Sequence, residues 1–307
     1  MNKLMLSSVA RFAQVQGMSG LIVNEHTLEP EEVVSHVDEL SRWFEFIHLD
    51  QLPARVQQRG GKPFCLLTFD DGKKSNATST APILSRLGVP AVFYVVTDFL
   101  SRGYPLWFDC YTALLKVAPT APPGLERETL KQLPQDELLS RLERAMQQYK
   151  VAPPQDSDHH RAMSWDEARK LSKEGFVIGA HSVRHTILTR EAQTVACGEI
   201  RDSLAAVSSE LGFPCRTFAF PNGNYNAVLA KCALESGATT VMTTDPTWVD
   251  RQTPLWRLPR IQLFGSSKPR MISMKVAAAT VPGVLINPDG TGRLYRTIQR
   301  ASRGRSL

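Results

Sequence analysis

Short apolar runs alternate with segments of helical periodicity along most of this 307-residue chain. The run at residues 64–69 is almost wholly apolar, as expected of a parallel strand that is covered on both faces. A helix is predicted over residues 75–87, where Gly88 ends it, and residues 91–96 are predicted as the next strand. This strand–helix–strand order predicts an α/β fold with a parallel sheet.

The same alternation continues on both sides of this unit. Further strands and helices are predicted from the apolar spacing, the strands at residues 20–24, 177–179, 217–220, 239–243 and 256–261 and the helices at 33–44, 192–211 and 226–236. About seven parallel strands with intervening helices predict a closed or nearly closed barrel of the (β/α)7 type. Such barrels place their chemistry at the carboxyl ends of the strands.

Residues 1–268 are interpreted as this barrel, interrupted by an insertion. From about residue 104 to 163 proline and charged residues become more frequent, and residues 126–148 have the pattern of an amphipathic helix. We therefore predict a mainly helical insertion that covers the site. Residues 269–307 are interpreted as a C-terminal extension with a basic tail, which either contacts an anionic surface such as a membrane or is solvated. The tail holds five arginines: Arg293, Arg296, Arg300, Arg303 and Arg305.

Composition excludes several classes of protein. With 42% hydrophobic and 21% charged residues, the chain is typical of a soluble globular protein, and no nucleic-acid partner is expected. No stretch approaches the roughly 18 apolar residues that span a bilayer. The N-terminal apolar residues are interrupted by Arg11, Gln14 and Gln16, a poor signal-peptide core, so a cytoplasmic location is expected. The five cysteines form no Cys-x-x-Cys pair, and they predict buried thiols rather than a zinc knuckle or a disulfide framework.

Two adjacent carboxylates follow the strand at residues 64–69. Asp70 and Asp71 come directly after Phe69, and Gly72 permits a sharp exit of the chain. Burying one carboxylate costs free energy and burying two costs more, unless a cation compensates their charge. One of them is therefore expected to bind a metal while the other faces a water molecule. The alternative is an ordinary turn in which an aspartate caps the next helix.

Two histidines, His181 and His185, follow the predicted strand at residues 177–179. Imidazoles four residues apart at such a place can reach a single cation, although lone histidines more often pack or lie at the surface. No glutamate follows the first histidine, so the zincin pattern is absent. One aspartate and two histidines predict a mixed oxygen and nitrogen site. Zinc is the first expectation, and Co²⁺, Mn²⁺, Ni²⁺ or Fe²⁺ fit the same ligands.

Three motifs occur in a characteristic order: Thr-Phe-Asp-Asp-Gly at residues 68–72, His-Ser-x-x-His at 181–185 and Phe-Ala-Phe-Pro-Asn-Gly at 218–223. Together they resemble the polysaccharide deacetylase family, also described as NodB homology or carbohydrate esterase family 4. The resemblance extends from about residue 20 to 264, with the insertion as a divergent stretch. It implies a distorted (β/α) barrel and the removal of N-acetyl groups, mostly from polymers of N-acetylglucosamine.

The resemblance also implies roles for individual residues. Asp70 corresponds to the general base, and the backbone N–H of Asn222 corresponds to a donor of the oxyanion hole. Pro221, in the same loop, is expected to contact the substrate. The metal ligands correspond to Asp71, His181 and His185.

One departure from the family pattern concerns the partner of the base. Many members carry an arginine in the proline-rich motif, where this chain has Ala219. Arg260, or less readily Arg257, is expected to supply that cation from the last strand. The alternative is that both arginines form surface salt bridges.

A second departure concerns the proton donor. Many members place a histidine late in the chain, but no histidine follows His185 here. His26, directly after the first strand, resembles the acid of the poly-N-acetylglucosamine deacetylase branch, which lies near the N-terminus in a Tyr-His motif. The match is partial, because Asn24 and Glu25 precede it. Histidine side chains titrate near neutrality and can protonate a leaving amine, whereas a capping or surface histidine is the alternative.

Trp107, Phe108 and Trp248 are candidates for stacking on a sugar ring, although aromatic residues more often pack in the core. The expected activity is metal-dependent removal of N-acetyl groups from an amino-sugar polymer, oligomer or glycan precursor. Two alternatives stay open: hydrolysis of a small imide, ureide or formamido sugar, and a catalytically silent carbohydrate-binding barrel. The silent barrel is disfavoured because binding alone does not need Asp70 beside Asp71.

Overall fold

The computed structural model describes residues 17–120, 122–265 and 267–280, together with the backbone of two short strands at 284–286 and 292–294. The N-terminal residues Arg11, Gln14 and Gln16 and the tail arginines from Arg296 onward lie outside these residues. The expectations that rest on them stay predictions. Within the described part, no helix combines the length and the apolar character that crossing a membrane requires.

Nine of the described strands form one curled sheet, and β10 and β11 form a separate pair. The strands are β1 (Met18–Glu25), β2 (Glu45–Phe46), β3 (Phe64–Phe69), β4 (Ala91–Val95), β5 (Val177–Ala180), β6 (Thr217–Ala219), β7 (Thr240–Met242), β8 (Val249–Asp250), β9 (Ile261–Gln262), β10 (Val284–Ile286) and β11 (Gly292–Leu294). The main order is β7-β6-β5-β4-β3-β1-β8, with β2 beside β3 and β9 beside β1.

Pairing in the nine-stranded sheet is parallel throughout the described strands, except between β1 and β8. Leu258 forms a parallel bridge with Met242 of β7, and the chain then enters β9, which pairs with β1. This connection curls the sheet into a distorted (β/α) barrel and confirms the predicted fold class. The predicted last strand is shorter than expected, because much of its hydrogen bonding is made by irregular backbone at 255–258.

The helices of the described part lie mostly between strands, on the outer side of the sheet. They are α1 (Pro30–Ser41), α2 (Leu52–Gln57), α3 (Ala81–Leu87), α4 (Thr97–Arg102), α5 (Trp107–Val117), α6 (Arg127–Leu130), α7 (Gln135–Tyr149), α8 (Trp165–Lys173), α9 (Gln193–Leu211), α10 (Ala227–Glu235) and α11 (Pro269–Ala278). The predicted helix at 126–148 is divided into α6 and α7. Pro134 precedes α7 and lacks the N–H that a continuous helix would need.

Side chains of the central strands alternate between two cores. In β3, Cys65, Leu67 and Phe69 pack against the helices, whereas Phe64 and Leu66 face the barrel interior. Both faces are buried, which explains why this run is almost wholly apolar. Because side chains alternate with a period of two, the interior series continues through Thr68 to Asp70 and places the first carboxylate inside the barrel.

The insertion at 104–163 has a hydrophobic core of its own. Helices α5 and α7 pack together around Trp107, Leu114, Leu138 and Leu142, all of which are buried. The predicted helical character of this segment therefore agrees with the structure. Among the described contacts, Asp136 at the start of α7 joins the insertion to the barrel through an ion pair with Arg184, at 2.6 Å between Oδ1 and Nη1.

Cys197 of α9 and Cys232 of α10 form a disulfide bond, with their Cα atoms 5.6 Å apart. The expectation of unpaired thiols is wrong for these two residues. Their partnership depends on the packing of two helices that the cysteine spacing does not reveal. The other three cysteines, Cys65, Cys110 and Cys215, are free and buried, as expected.

Candidate active site

Asp71, His181 and His185 meet at the carboxyl ends of β3 and β5. Oδ1 of Asp71 lies 3.4 Å from Nε2 of His185 and 3.8 Å from Nε2 of His181. One ligand atom from each of the three residues lies within 4.8 Å of the others, and all three side chains are buried. The structure therefore brings together the three residues that the sequence analysis assigns to a metal.

The chemistry of these donors fits a divalent cation. Oδ1 of Asp71 is buried and has no hydrogen-bond partner among the described residues. Nδ1 of His181 lies 2.8 Å from the carbonyl oxygen of Ala219, so the N–H at that position leaves Nε2 free to face Asp71. Burial lowers the pKa of His181, and it lowers the pKa of His185 to about 4, which favours the neutral imidazoles that metals bind.

The backbone at this site is strained. Asp71, Ser182, His185 and Asn222 have φ angles of 78°, 62°, 57° and 54°, in the left-handed region that residues with a Cβ rarely adopt. Such conformations cost about 1–3 kcal/mol each and persist where the surrounding structure fixes them. At Asp71, the positive φ ends the strand alternation directly after β3.

Asp70 lies beside these ligands and is held by Arg260. Nη1 and Nη2 of Arg260 donate to Oδ1 and Oδ2 of Asp70 at 2.7 and 2.8 Å, and Nε2 of His181 lies 3.8 Å from Oδ2. Burial alone would raise the pKa of Asp70. The charge of Arg260 and its hydrogen bonds outweigh burial and hold this pKa below its usual range. The carboxylate therefore stays ionised at neutral pH.

Arg260 is itself fixed from several sides. Its Nε donates to the carbonyl oxygen of Thr243 at 2.9 Å, and Nη1 also donates to Oγ1 of Thr68 at 3.1 Å. Its guanidinium lies 5.6 Å from the ring centre of Tyr94. The other candidate, Arg257, instead pairs with Asp245 at 3.2 Å. Of the two arginines considered from the sequence, Arg260 is therefore the partner of Asp70.

A cleft of about 910 Å³ opens above these residues. His26, which is half-buried, and Asn222 line it together with the metal-ligand candidates and Asp70. Next to Asn222, a Cβ at Gly223 would lie 1.8 Å from Oγ1 of Thr244, so the loop requires glycine there. Oγ1 of Thr244 also donates to the carbonyl oxygen of Asn222 at 3.3 Å, which helps to fix the turn.

Three of the predicted substrate contacts are not available at the cleft surface. Trp107 is 1% exposed in the core of the insertion, and Trp248 is 3% exposed, packs on Phe44 and donates its Nε1–H to the carbonyl oxygen of Val276. Pro221 is buried beneath its loop and does not line the cleft. The two tryptophans were wrong candidates, because both rings stabilise hydrophobic cores.

Phe108 is the aromatic candidate that does line the cleft. Its ring lies edge-on to His185, with 5.1 Å between the ring centres. Phe108 stands at the start of α5, so the insertion contributes directly to the surroundings of the metal ligands. The insertion therefore forms part of the wall of the cleft, and its role as a cover over the site stays a prediction.

The sequence analysis missed a buried ion pair in the same wall. Lys73 is 2% exposed, forms an ion pair with Asp109 of α5, and lies 5.4 Å from the ring centre of Phe108. Its position two residues after Asp71 was a visible signal. Its partner was not, because Asp109 lies in an insertion whose packing could not be inferred from periodicity.

A second missed pair stands behind β1. Nδ1 of His36, on α1, lies 2.7 Å from Oε1 of Glu25. Nε2 of the same ring lies 3.1 Å from the carbonyl oxygen of Ser267. Because Glu25 precedes His26, this buried contact anchors the strand end from which His26 enters the cleft. The sequence shows both residues, but their approach depends on how α1 packs on the sheet.

Comparison with known families identifies a match over residues 57–241, which is more than half of the chain, to the family described as polysaccharide deacetylase. No curated protein sequence matches the chain.

Solved structures with a similar fold have low sequence identity to this chain. The deacetylase PplD from Streptococcus pyogenes, solved in complex with acetate, is 14% identical with a TM-score of 0.60, over 84% of this chain and 97% of that one. IcaB from Ammonifex degensii is 15% identical with a TM-score of 0.59, over 85% and 98%. The deacetylase domain of BpsB from Bordetella bronchiseptica is 16% identical with a TM-score of 0.55, over 80% and 96%. At these identities the likeness shows a shared fold.

Proposed function

The chain belongs to the polysaccharide deacetylase family and is a hydrolase of amide bonds, and on this premise we propose that it removes N-acetyl groups from an amino-sugar polymer, oligomer or glycan precursor in a metal-dependent reaction. One observation carries the proposal. The unpartnered Oδ1 of buried Asp71 faces two imidazoles, while the adjacent Asp70 is kept ionised by Arg260. A site for a cation and a base therefore stand side by side in one cleft.

The proposed roles follow from these positions. A divalent cation, held by Asp71, His181 and His185, would supply a Lewis acid that polarises the acetyl carbonyl and lowers the pKa of water. Asp70 accepts a proton as the oxygen of water bonds to the carbonyl carbon. Its two hydrogen bonds from Arg260 aim the carboxylate and leave its outer lone pairs for this proton.

Two further groups act on the carbonyl oxygen and on the leaving nitrogen. The backbone N–H of Asn222 is the proposed donor to the carbonyl oxygen as negative charge develops there. His26 gives a proton to the amide nitrogen as the C–N bond breaks, so the products are acetate and a free amino group. Both residues line the cleft that contains Asp70.

The size of the cleft supports a sugar chain over a small imide or ureide. Its volume of about 910 Å³ lies near the upper end of the range for ligand sites, roughly 300–1,000 Å³. Its walls come from both the barrel and the insertion, with the half-buried ring of Phe108 among them. Zinc is the metal we propose, since two imidazoles and a carboxylate with open positions are typical of catalytic zinc.

The test is acetate release from N-acetylglucosamine oligomers, measured before and after removal of metal and again after restoration with Zn²⁺, Co²⁺, Mn²⁺, Ni²⁺ or Fe²⁺. We expect activity to vanish with a chelator and to return with one of these ions. Asp70→Asn should retain metal but lose activity by roughly 10²-fold or more, whereas Asp71→Asn should lose metal.

His159→Ala is the matched control, because His159 pairs with Glu29 at 3.6 Å and does not line the cleft, so metal content and rate should be unchanged. Full activity in metal-free protein would contradict the proposed metal dependence. Turnover confined to imides, ureides or formamido sugars would contradict the proposed substrate.

A further inference from the structure

The amino ends of β1 and β3 border a second concave site, at the opposite end of the barrel from the catalytic cleft. It encloses about 280 Å³ and is lined in part by Ser19 and Pro63. Since β3 is six residues long, this pocket lies about 20 Å from Asp70. Four cationic residues line the pocket and no carboxylate does, the cations being Arg55, Arg59, Lys62 and Arg251.

Two of these cations are held in place by the protein. Nη1 of Arg55 pairs with Glu45 at 2.9 Å, and its Nη2 donates to the carbonyl oxygen of Lys62 at 3.0 Å. Nζ of Lys62 donates to the carbonyl oxygen of Ser41 at 2.6 Å. These contacts fix part of the wall before any ligand arrives, which reduces the entropy lost on binding.

The other two cations have no partner of opposite charge. Arg59 and Arg251 are exposed, and their side chains make no ion pair or hydrogen bond with the described residues. They come from separate segments, one after α2 and the other after β8. Nε2 of Gln57 donates to the carbonyl oxygen of Arg251 at 3.3 Å and ties the two segments together. Glu45 is the one carboxylate among the described residues that pairs with the four cations, so most of their charge is uncompensated.

We propose that this pocket binds a phosphate group. Guanidinium groups match the oxygen atoms of phosphate with two parallel hydrogen bonds, and these charge-assisted bonds are stronger than neutral ones. A small concave site with an excess of positive charge also concentrates anions. Gly60 lines the same pocket with open space where a side chain would stand, which leaves room for the ligand beside Arg59.

The phosphate can come from a soluble phosphorylated compound or from a phospholipid headgroup, and the position of the pocket suits both. Binding a headgroup there would orient the barrel with its catalytic cleft away from the lipid surface. Binding a soluble phosphate would leave the orientation of the protein free. The two sources can be distinguished experimentally, because only a headgroup site would bind anionic vesicles through Arg59 and Arg251.

The test uses the full chain with Arg59→Gln and Arg251→Gln combined. Its matched control combines Arg86→Gln and Arg216→Gln, two exposed arginines outside the pocket, so that the net charge changes equally. Calorimetry measures binding of inorganic phosphate and glycerol 3-phosphate. Cosedimentation measures binding to phosphatidylcholine vesicles with and without a fifth of phosphatidylglycerol.

We expect saturable phosphate binding by the wild type and the control, and affinity weaker by roughly tenfold or more in the pocket variant. Deacetylase activity should be unchanged in both variants, which also shows that they fold. Selective retention on anionic vesicles identifies a headgroup, whereas binding only of soluble phosphates identifies a soluble source. The proposal is overturned if the wild type binds neither, or if the two variants lose affinity equally.

Discussion

Arg260 and Asp70 form a buried ion pair joined by two hydrogen bonds, with 0% of Arg260 and 2% of Asp70 exposed. An uncompensated carboxylate at this depth would be protonated at neutral pH, because burial strongly disfavours its charge. Arg260 reverses this effect and lowers the pKa of Asp70. The pair therefore determines whether the proposed base exists in its ionised form.

Arg260→Met should remove both the positive charge beside Asp70 and the two hydrogen bonds that orient its carboxylate. We expect kcat to fall by roughly 10²-fold or more. Because Arg260 would no longer oppose the effect of burial, the pKa of Asp70 should rise, and the acid limb of the kcat/KM profile should move to higher pH. Arg260→Lys keeps the positive charge but cannot donate the two parallel hydrogen bonds of the guanidinium group. The pH profile of its kcat/KM should therefore shift less than that of Arg260→Met.

Arg257→Met is the control for this prediction, since Arg257 pairs with Asp245 and not with Asp70. Its pH profile should match that of the wild type. Metal content should be unchanged in all these variants. An Arg260→Met enzyme with an unshifted acid limb would show that Asp70 is not the group that titrates.

The features of the site that depend on β3 and on the residues directly after it could be predicted from the sequence. The apolar run of β3, its parallel pairing and the pair Asp70–Asp71 all follow from neighbouring residues. The place of Arg260 followed from the family pattern together with its position near the last strand. The conformation of Asp71, at a φ of 78°, could not be predicted, because strain of this kind depends on the packing around it.

Residue types alone misplaced the aromatic side chains. The sequence gives no reason to prefer one of three aromatic residues, Trp107, Phe108 and Trp248, as a sugar contact. Of these three, only Phe108 lines the cleft. Burial of a tryptophan depends on which helix face meets which core, and the insertion has a core that single-sequence periodicity did not reveal. The same limitation hid the partnership of Lys73 with Asp109.

Phe108→Ala and Trp107→Ala should therefore have different effects, although the residues are adjacent. Loss of the Phe108 ring from the cleft should lower kcat/KM by roughly threefold to tenfold, mainly through KM, with a smaller loss of stability than Trp107→Ala because Phe108 is only half-buried. Trp107→Ala should lower the free energy of unfolding by about 3–5 kcal/mol. Kinetics on oligomers and urea denaturation of both variants check this. Equal kinetic losses in the two variants, without destabilisation of Trp107→Ala, would contradict the placement of Phe108 in the cleft and of Trp107 in the core.

Asp109→Leu should destabilise the protein by leaving buried Lys73 without its counter-charge. Breaking a buried ion pair from one side costs about 3–5 kcal/mol. The double variant Lys73→Met with Asp109→Leu should recover most of this loss, because neither charge is then buried. Urea denaturation of the wild type, both single variants and the double variant gives the coupling energy. Additive losses would show that the two side chains do not act as a pair.

Cys197→Ser combined with Cys232→Ser should lower the free energy of unfolding by about 2–4 kcal/mol, since the disulfide closes a loop across a sequence separation of 35 residues. Denatured but unreduced wild-type protein should expose three thiols to alkylation instead of five. Reductant should destabilise the wild type and leave the double variant unchanged. Five reactive thiols in oxidised protein would contradict the bond.

Lys275 gives a prediction about stability at alkaline pH. It is 5% exposed on α11, and burial lowers its pKa to about 8 from the usual value of 10.5. Between these two values the unfolded chain carries a proton that the folded chain has lost, so the contribution of Lys275 to stability rises as pH increases. Lys275→Met cannot titrate and should lack this rise.

The quantity to compare is the free energy of unfolding of the wild type minus that of Lys275→Met. This difference should increase by up to about 3 kcal/mol between pH 8 and 10.5, and it should stay flat below pH 8. Subtracting the variant removes the titration of tyrosines and cysteines, which is common to both proteins. Urea denaturation at a series of pH values measures the difference. Because Nζ of Lys275 also donates to the carbonyl oxygen of Gln262 at 2.8 Å, the variant will carry a constant offset, and only the slope with pH decides. A flat difference across the whole range would show that Lys275 stays charged in the folded protein.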